Sequence, residues 1–337
     1  MEEIKLLILR LTERCNLRCT YCYAAREDGA DFDMDEATAL RAVELCCPPG
    51  GSLRIQFTGG EPLLRLELME AVAAFGKASG RRLTLSVQTN AALLTPQACR
   101  RLKAIRCGVG VSLDGVGEAN SLRTFPDGTP ACDAAVQGIR NLGQAGLRCG
   151  LTAVVTCVNA GRLGQLANLA LALGNVAGVG LDLFRPIGRG CGQELAADPD
   201  ELARGAAELA ARAQALKAAG IPFRFRELER LNRRAAAPCG ELYCYAQTHD
   251  SLALDGRGDW WPCSSLAGQA QFLLGNIRSG LPEYNRCAAA LAPPESCRTC
   301  GDFFLCLGGC PAGRAARGGA DALTCVLHRT LEERRTL

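Results

Sequence analysis

The sequence predicts an α/β protein: an open, partial version of the eight-stranded parallel barrel, followed by a small cysteine-rich domain. From Lys5 to about Phe184, apolar strand-like runs alternate with helix-like segments, and this alternation requires parallel crossover connections. From Cys239 onward the composition changes to closely spaced cysteines and glycine-rich segments, which cannot bury much apolar surface. A chain of 337 residues is long enough for two domains and a sizeable core.

Six strands and five intervening helices are expected in the first part. Asp35 and Thr95 are suitable helix starts, because their side chains can cap backbone N–H groups, and Pro96 fits a first helical turn. The predicted strands are 5–9, 53–58, 82–88, 109–113, 148–155 and 179–184, and the predicted helices are 35–46, 66–79, 96–105, 131–145 and 162–173. An alanine-rich helix at 198–219 and a basic segment at 221–235 follow; the basic segment is either a solvated connector or a surface for an acidic peptide. We therefore expect a barrel at 1–195, a helical connector at 196–236 and the cysteine-rich domain at 237–330.

Three thiols follow the first predicted strand directly, at Cys15, Cys19 and Cys22. Loops at the C-terminal ends of parallel strands are where α/β proteins place their functional sites. Thiolates this close together select zinc or an iron–sulfur cluster. The next cysteine, Cys46, lies well outside the loop, so a four-iron cube held here would keep one iron open for an external molecule. Three quarters of a structural zinc site is the alternative.

The tetrapeptide Gly59-Gly60-Glu61-Pro62 follows the second predicted strand, and glycines without a Cβ allow a ligand close to the backbone. Together the two motifs resemble the radical S-adenosylmethionine (radical SAM) superfamily, which carries C-x3-C-φ-C, with aromatic φ (here Tyr21), and a GGEP motif. The resemblance implies a partial (β/α)6 TIM-like radical SAM barrel. It also implies that the amino and carboxylate groups of SAM chelate the open iron of a 4Fe–4S cluster, while the backbone of Gly59, Gly60 and Glu61 holds the amino group.

The resemblance implies three further SAM contacts. Ser112 opens an S-x-D-G segment and would touch the carboxylate or ribose of SAM, and Arg123 would bind the carboxylate. Ile187, after the sixth strand, would lie beside the adenine. The alternative for this region is routine turn chemistry, since Asp114-Gly115 is a common turn pair.

The C-terminal cysteines form a strict pattern. C-x2-C-x5-C-x3-C begins at Cys297, and Gly258 stands five residues before Cys263. This resembles the SPASM extension of radical SAM enzymes, with its G-x4-C segment, C-x2-C-x5-C-x3-C segment and last cysteine. The resemblance implies two auxiliary 4Fe–4S clusters, and structural zinc is the alternative. The first would be held by Cys239, Cys244, Cys263 and Cys310, and the second by Cys297, Cys300, Cys306 and Cys325.

Composition excludes several other classes. The formal net charge is only +3, so nothing favours nucleic acid or an anionic membrane surface as a partner. No signal-peptide pattern and no apolar run of roughly 18 residues is present, so a cytoplasmic location is expected. In that compartment twenty cysteines indicate metal clusters rather than disulfides. Two histidines make a histidine-based metal site or catalytic triad a poor expectation.

By this resemblance the chain would cleave SAM to a 5′-deoxyadenosyl radical that takes hydrogen from a substrate. The favoured function is maturation of a ribosomally made peptide by a crosslink or oxidation. Second is formylglycine generation as in anaerobic sulfatase-maturating enzymes, whose G-x4-C cysteine precedes an Asp, where this chain has Ser264. Third is a non-catalytic iron–sulfur electron carrier. Expected partners are a peptide or small protein substrate and a reductant such as a flavodoxin or ferredoxin. Many peptide maturases carry an N-terminal peptide-binding domain, whereas this cluster loop begins by residue 15, so a separate peptide-binding adaptor is also expected unless the basic 224–234 segment substitutes. No catalytic acid or base is assigned.

Overall fold

The strands of the protein join into one twisted sheet that curls into the expected partial barrel. The computed structural model describes residues 4–25, 32–236, 243–284 and 287–335. Within these ranges the strand order is β10-β9-β8-β1-β2-β3-β4-β5-β6-β7, and every neighbouring pair from β8 to β7 is parallel. The strands are β1 (Leu6–Arg10), β2 (Ser52–Thr58), β3 (Arg82–Thr89), β4 (Gly108–Ser112), β5 (Cys149–Val155), β6 (Val176–Leu183), β7 (Arg224–Phe225), β8 (Ser251–Leu254), β9 (Asp259–Trp261) and β10 (Gly275–Asn276).

Helices connect the barrel strands and cover their outer face, as the alternating pattern predicts. The barrel helices are α1 (Glu36–Cys46), α2 (Leu66–Ala78), α3 (Pro96–Ala104), α4 (Cys132–Gln144) and α5 (Gln165–Leu173). They are followed by α6 (Pro199–Ala218), α7 (Arg226–Ala236), α8 (Ala288–Leu291), α9 (Glu295–Arg298), α10 (Phe303–Cys306), α11 (Pro311–Arg317) and α12 (Ala322–Glu333). Short 3₁₀ turns span Pro62–Arg65, Gly117–Asn120, Ala160–Arg162, Gly188–Gly190, Ser264–Leu266, Ala270–Phe272 and Ile277–Ser279.

Side-chain caps fix the starts of three helices. Asp35 accepts a hydrogen bond from the Thr38 amide, and Thr95 caps α3 ahead of Pro96. Asp198 caps α6 by accepting from two backbone amides of its first turn. These local interactions satisfy amides that the helix itself leaves unpaired, which explains why the predicted starts lie within one residue of the observed ones.

The basic segment after α6 is built into the fold. β7 extends the barrel by pairing with β6, and α7 buries Leu228 and Leu231. Arg226 donates to the carbonyl of Leu181 and pairs with Glu227, and Arg234 donates to the carbonyl of Leu305. Several arginines of this segment therefore hold β6 and the C-terminal helices in place.

The inner and outer faces of the barrel strands differ in chemistry. Along β5, Leu151, Ala153 and Val155 are buried on the helix-covered face. The alternate residues Thr152 and Val154 line a cavity, as the two-residue period of a strand requires. The polar inner face leaves room for a site. Among the described residues no helix is both long and apolar enough to cross a membrane.

Candidate active site

A cavity of about 160 Å³ opens at the C-terminal ends of the barrel strands, beside the loop that follows β1. Parallel strands bring the loops after them to one edge of the sheet, so residues distant in sequence meet there. The cavity is lined by Cys15, Leu17, Cys19, Tyr21, Cys22, Tyr23, Ala24, Thr58, Gly59, Gly60, Gln88, Thr89, Asn90, Ser112, Arg123, Thr152, Val154 and Asp182. The three predicted cluster thiols and most predicted SAM contacts thus share one cavity.

The arrangement of the described thiols bears on the choice between zinc and an iron–sulfur cluster. Among the described residues, no three His, Cys, Asp or Glu side chains converge where one metal ion could be held. A tetrahedral zinc site needs that convergence, with each sulfur about 2.3 Å from one ion. In a 4Fe–4S cube each thiolate bonds a different iron, so the sulfurs need not converge. That the thiols hold iron–sulfur clusters stays a prediction.

Hydrogen bonds orient the cluster loop. The amide of Leu17 donates to Cys15 Sγ at 3.4 Å, and the amide of Cys22 donates to the carbonyl of Cys19 at 3.3 Å. Asn90, at the end of β3, donates through Nδ2 to Asn16 at 2.8 Å and to Cys15 Sγ at 3.8 Å. Asn90 therefore fixes the position of the loop rather than serving only as a turn residue.

The GGEP segment packs against the backbone of the cluster loop. The amide of Gly60 donates to the carbonyl of Thr12 at 2.7 Å, and the amide of Glu61 donates to that of Arg14 at 2.8 Å. Gly59 and Gly60 line the cavity, but Glu61 does not. The Glu61 carboxylate instead accepts from the Thr89 hydroxyl at 2.7 Å and from the Asn90 amide at 2.9 Å. Burial raises the pKa of Glu61 to about 7 despite these hydrogen bonds. Glu61 thus joins the ends of β2 and β3.

Arg123, Asp114 and Tyr21 form a buried network at one wall. Arg123 Nε donates to Asp114 at 3.1 Å, its guanidinium lies 5.5 Å from the Tyr21 ring centroid, and the Tyr21 hydroxyl donates to Asp114. Burial opposes the charge of Arg123, but Asp114, Tyr21 and Cys19 together outweigh burial, so the pKa of Arg123 lies above its usual range. Arg123 stays a cation and lines the cavity, and its contact with the carboxylate of SAM stays a prediction. Ser112 is nearby and accepts from Gln88 Nε2 at 2.8 Å.

Ile187 is absent from the residues that line the cavity. Its neighbours contact the cluster loop instead: Arg189 donates from its amide to the carbonyl of Cys22 at 3.0 Å and from Nη1 to that of Cys19 at 2.8 Å. The loop after β6 therefore meets the cluster loop through Arg189, and a contact of Ile187 with adenine stays a prediction.

The described C-terminal thiols lie in two groups. Burial raises the pKa of Cys263 to about 12, and the neighbouring thiols of Cys310 and Cys244 add to this. Burial likewise raises the pKa values of Cys297, Cys306 and Cys325, with contributions from one another and from Cys300. The two neighbourhoods correspond to the sets that the family resemblance implies, except that Cys239 lies outside the described residues, and their role as cluster ligands stays a prediction.

Two residues of the site escaped the sequence analysis. Tyr23, directly after the third cluster thiol, lines the cavity, and its side chain hydrogen-bonds that of Ser264. Asp182, at the end of β6, also lines the cavity. Ligand sites in α/β sheets lie at the carboxyl ends of the strands, so the polar residue near the end of the sixth predicted strand was the signal that could have found Asp182.

Fold and site together define a radical SAM protein. The model of the Radical SAM superfamily matches residues 9–170. An uncharacterized protein of Methanocaldococcus jannaschii is 30% identical over 280 residues, which are 82% of this chain and 90% of that protein. The chain belongs to the radical SAM superfamily. A shorter match, 36% identical over 147 residues, is to the Fe-coproporphyrin III synthase of Methanosarcina barkeri and covers 43% of this chain and 35% of that protein.

Solved structures share the whole architecture. Native anSMEcpe with bound AdoMet, which is SAM, superposes with a TM-score of 0.81 at 20% identity and covers 98% of this chain and 96% of its own. Streptococcus suis SuiB bound to precursor peptide SuiA gives a TM-score of 0.63 at 15% identity, covering 95% of this chain and 76% of its own. At these identities the likeness concerns the fold, and it confirms the expected partial barrel followed by a cysteine-rich region.

Proposed function

We propose that this radical SAM enzyme matures a peptide, using a SAM-binding 4Fe–4S cluster on Cys15, Cys19 and Cys22 and two auxiliary clusters in the C-terminal region. The observation that carries the proposal is that those three thiols and residues at the ends of β2 to β6 line one cavity. When bound, the cluster and SAM supply the electron and the 5′-deoxyadenosyl radical that removes a hydrogen atom from the substrate.

The chain itself binds and orients. Gly59 and Gly60 leave backbone exposed to the cavity for the amino group of SAM, and Arg123 offers a buried cation for its carboxylate. Ser112, whose hydroxyl accepts a hydrogen bond from Gln88, would touch the carboxylate or the ribose of SAM. The apolar walls, among them Leu17 and Val154, exclude water from a reactive radical.

A peptide substrate is supported by the likeness to SuiB, whose structure contains a precursor peptide. Formylglycine generation is the second candidate, because the anSMEcpe structure is the better superposition. That chemistry requires a base near the substrate thiol or hydroxyl. This chain has Ser264 after Cys263, and Ser264 is buried and hydrogen-bonded to Tyr23. A hydroxyl is a poor base near neutral pH, and the carboxylate that does line the cavity, Asp182, is paired with Arg185, so peptide crosslinking or oxidation ranks first.

Metal content and SAM cleavage test the cofactor assignment. Anaerobically reconstituted protein should hold about twelve irons per chain, and joint replacement of Cys15, Cys19 and Cys22 by Ala should remove about four. Given a reductant such as a flavodoxin or ferredoxin, the unmodified protein should release 5′-deoxyadenosine from SAM, while the triple variant should release none. Zinc in place of iron in the C-terminal region would refute the auxiliary clusters.

Mass spectrometry with two peptide types tests the reaction. We expect a cysteine- or aromatic-containing precursor, supplied with an adaptor if one is needed, to become about two mass units lighter as one new bond replaces two hydrogens. A sulfatase-type Cys-x-Pro-x-Arg peptide should stay unchanged, with Ser264→Asp as the matched variant that supplies a carboxylate. Turnover of the sulfatase peptide by the unmodified protein would reverse this ranking.

A further inference from the structure

Asp182 lies between the C-terminal region and the cluster cavity, the cavity of about 160 Å³ that Cys15, Cys19 and Cys22 line. It is the one carboxylate among the described residues that line the cluster cavity. It also borders a second, buried cavity of about 30 Å³, where β6 meets α7, α11 and α12 and where Cys310 is exposed to the interior. A group in this position can sense a substrate on one side and an auxiliary-cluster ligand on the other.

Arg185 provides the connection. Its Nη1 donates to Asp182 at 3.0 Å and its Nη2 to the other carboxylate oxygen, while Nη2 also lies 3.8 Å from Cys310 Sγ. Only 9% of the Arg185 side chain is exposed, and its guanidinium lies 6.0 Å from the ring centroid of Tyr23. Burial disfavours the charge, but the negative groups around it, Asp182 first and then Cys310 and Tyr23, together outweigh burial and keep the pKa of Arg185 well above its usual range. A permanent buried cation therefore donates to a proposed ligand sulfur.

Such a donor has a defined effect on a cluster. Hydrogen bonds and positive charge at the ligating sulfurs stabilise the reduced state, because reduction adds negative charge to the cluster. Arg185 also has a buried Nε without a hydrogen-bond partner among the described residues, so one more acceptor can be accommodated on that side. Asp182 has the opposite effect on the reduction potential, because its carboxylate neutralises part of the positive charge of Arg185 beside Cys310.

We propose that Arg185 sets the reduction potential of the first auxiliary cluster through Cys310, and that Asp182 couples this potential to the contents of the cluster cavity. The inference rests on the proposed ligand role of Cys310. It also specifies the substrate: a group with N–H donors or a positive charge, such as a peptide amide or ammonium, binds at Asp182. That group competes with Arg185 for the carboxylate. The charge at Cys310 is then less compensated, so the cluster accepts an electron more readily when substrate is present.

Redox titration of the reconstituted full chain, followed by electron paramagnetic resonance, tests this without a substrate. The variant in which Cys15, Cys19 and Cys22 are replaced by Ala serves as background, and the second auxiliary cluster serves as an internal reference. Arg185→Gln should lower the reduced-to-oxidised ratio of the first auxiliary cluster roughly tenfold at a fixed potential, about 59 mV for one electron. Asp182→Asn should shift the same ratio in the opposite direction, because the guanidinium is left uncompensated.

Two further variants secure the result. Arg317 lies in the same region, but among the described residues it donates to the Phe184 carbonyl and pairs with Asp321 rather than with a cysteine. Arg317→Gln should therefore leave the reduced-to-oxidised ratios of both auxiliary clusters nearly unchanged. Arg185→Lys keeps the charge and should restore most of the ratio if Arg185→Gln loses iron. Shifts in the same direction for Arg185→Gln and Asp182→Asn, or no shift at full iron content, would overturn the inference alone. Absence of an auxiliary signal from the parent protein would overturn the ligand assignment with it.

Discussion

Gly59 and Gly60 owe their presence to backbone packing as much as to any ligand. A Cβ at Gly60 would lie 2.1 Å from the carbonyl oxygen of Arg14, and one at Gly59 would lie 2.3 Å from that of Thr12. Both contacts are far shorter than real Cβ contacts, and both involve backbone atoms that cannot rotate away. The sequence alone suggests only that these glycines admit SAM; the structure adds that they admit the cluster loop.

Replacement of Gly60 should therefore damage the cluster itself. We expect Gly60→Val to push the backbone at Arg14 outward and to lose about four of the roughly twelve irons, with SAM cleavage lost in consequence. From the motif alone one would expect weaker SAM binding with the cluster intact. The matched control is Gly150→Val on β5, where an added Cβ meets nothing within 4 Å. Iron analysis and cluster absorbance decide, and full iron content in Gly60→Val would refute the packing argument.

Among the helices, α6 shows how a single glycine sets the distance between two elements. Gly205 lies on the buried face of α6, and a Cβ there would stand 1.9 Å from the carbonyl oxygen of Ala160 in the turn Ala160–Arg162. That turn follows β5, so α6 is seated directly on the barrel. The alanine-rich sequence of α6 is consistent with this close approach.

For Gly205→Ala two effects oppose each other. Alanine favours a helix over glycine by about 1 kcal/mol. Overpacking against fixed backbone costs about 1–3 kcal/mol and occasionally more. We expect the clash to dominate, giving a lower free energy of unfolding and a lower Tm. Ala211→Gly, at an exposed position of the same helix, is the control and should lose about 1 kcal/mol from propensity alone. Denaturation of the reconstituted variants measures both, and a stabilised Gly205→Ala would contradict the prediction.

The elements that the sequence predicts are those with local signals. The six barrel strands and their helices were predicted within a few residues, because alternation, caps such as Asp198 and terminal prolines act over short distances. β7 and β10 have two residues each, and β8 has four, so their pairing depends on partners far along the chain. The contacts of Arg185 with Cys310 and of Tyr23 with Ser264 join distant residues for the same reason. Spacing within a motif carries no information about them.

For the whole molecule, the packing of α12 makes stability depend on mild acid. His328 on α12 is 4% exposed. Burial lowers its pKa to about 4, and the charges of Arg234 and Arg230 act in the same direction. Above about pH 6.5 His328 is neutral in both the folded and the unfolded chain, so it does not change the free energy of unfolding. Below that pH the unfolded chain takes up a proton that the folded chain refuses, so stability falls until the folded-state pKa is reached.

We expect this single group to remove roughly 2 kcal/mol of stability between pH 7 and pH 5. The measurement is the Tm of the reconstituted protein across that range, compared with the variant His328→Gln, which cannot titrate. The variant should show a smaller decline over the same interval, whatever its absolute Tm. Equal slopes in the two proteins would show that the pKa of His328 is the same in the folded and the unfolded chain.

One pairing in the sheet has a consequence for how the protein is made. β1 lies between β2 and β8, with Leu6 opposite Ser251. Because β8 is synthesised long after β1, one edge of the apolar strand β1 stays unpaired during most of translation. An uncovered apolar edge of this kind recruits other chains. The strand that pairs with this edge, β8, lies in the sequence between Cys244 and Cys263, and both cysteines are proposed to hold iron. Iron supply during synthesis would then decide whether the nascent chain closes its own edge or aggregates, so cells starved of iron should yield this protein mainly in the insoluble fraction.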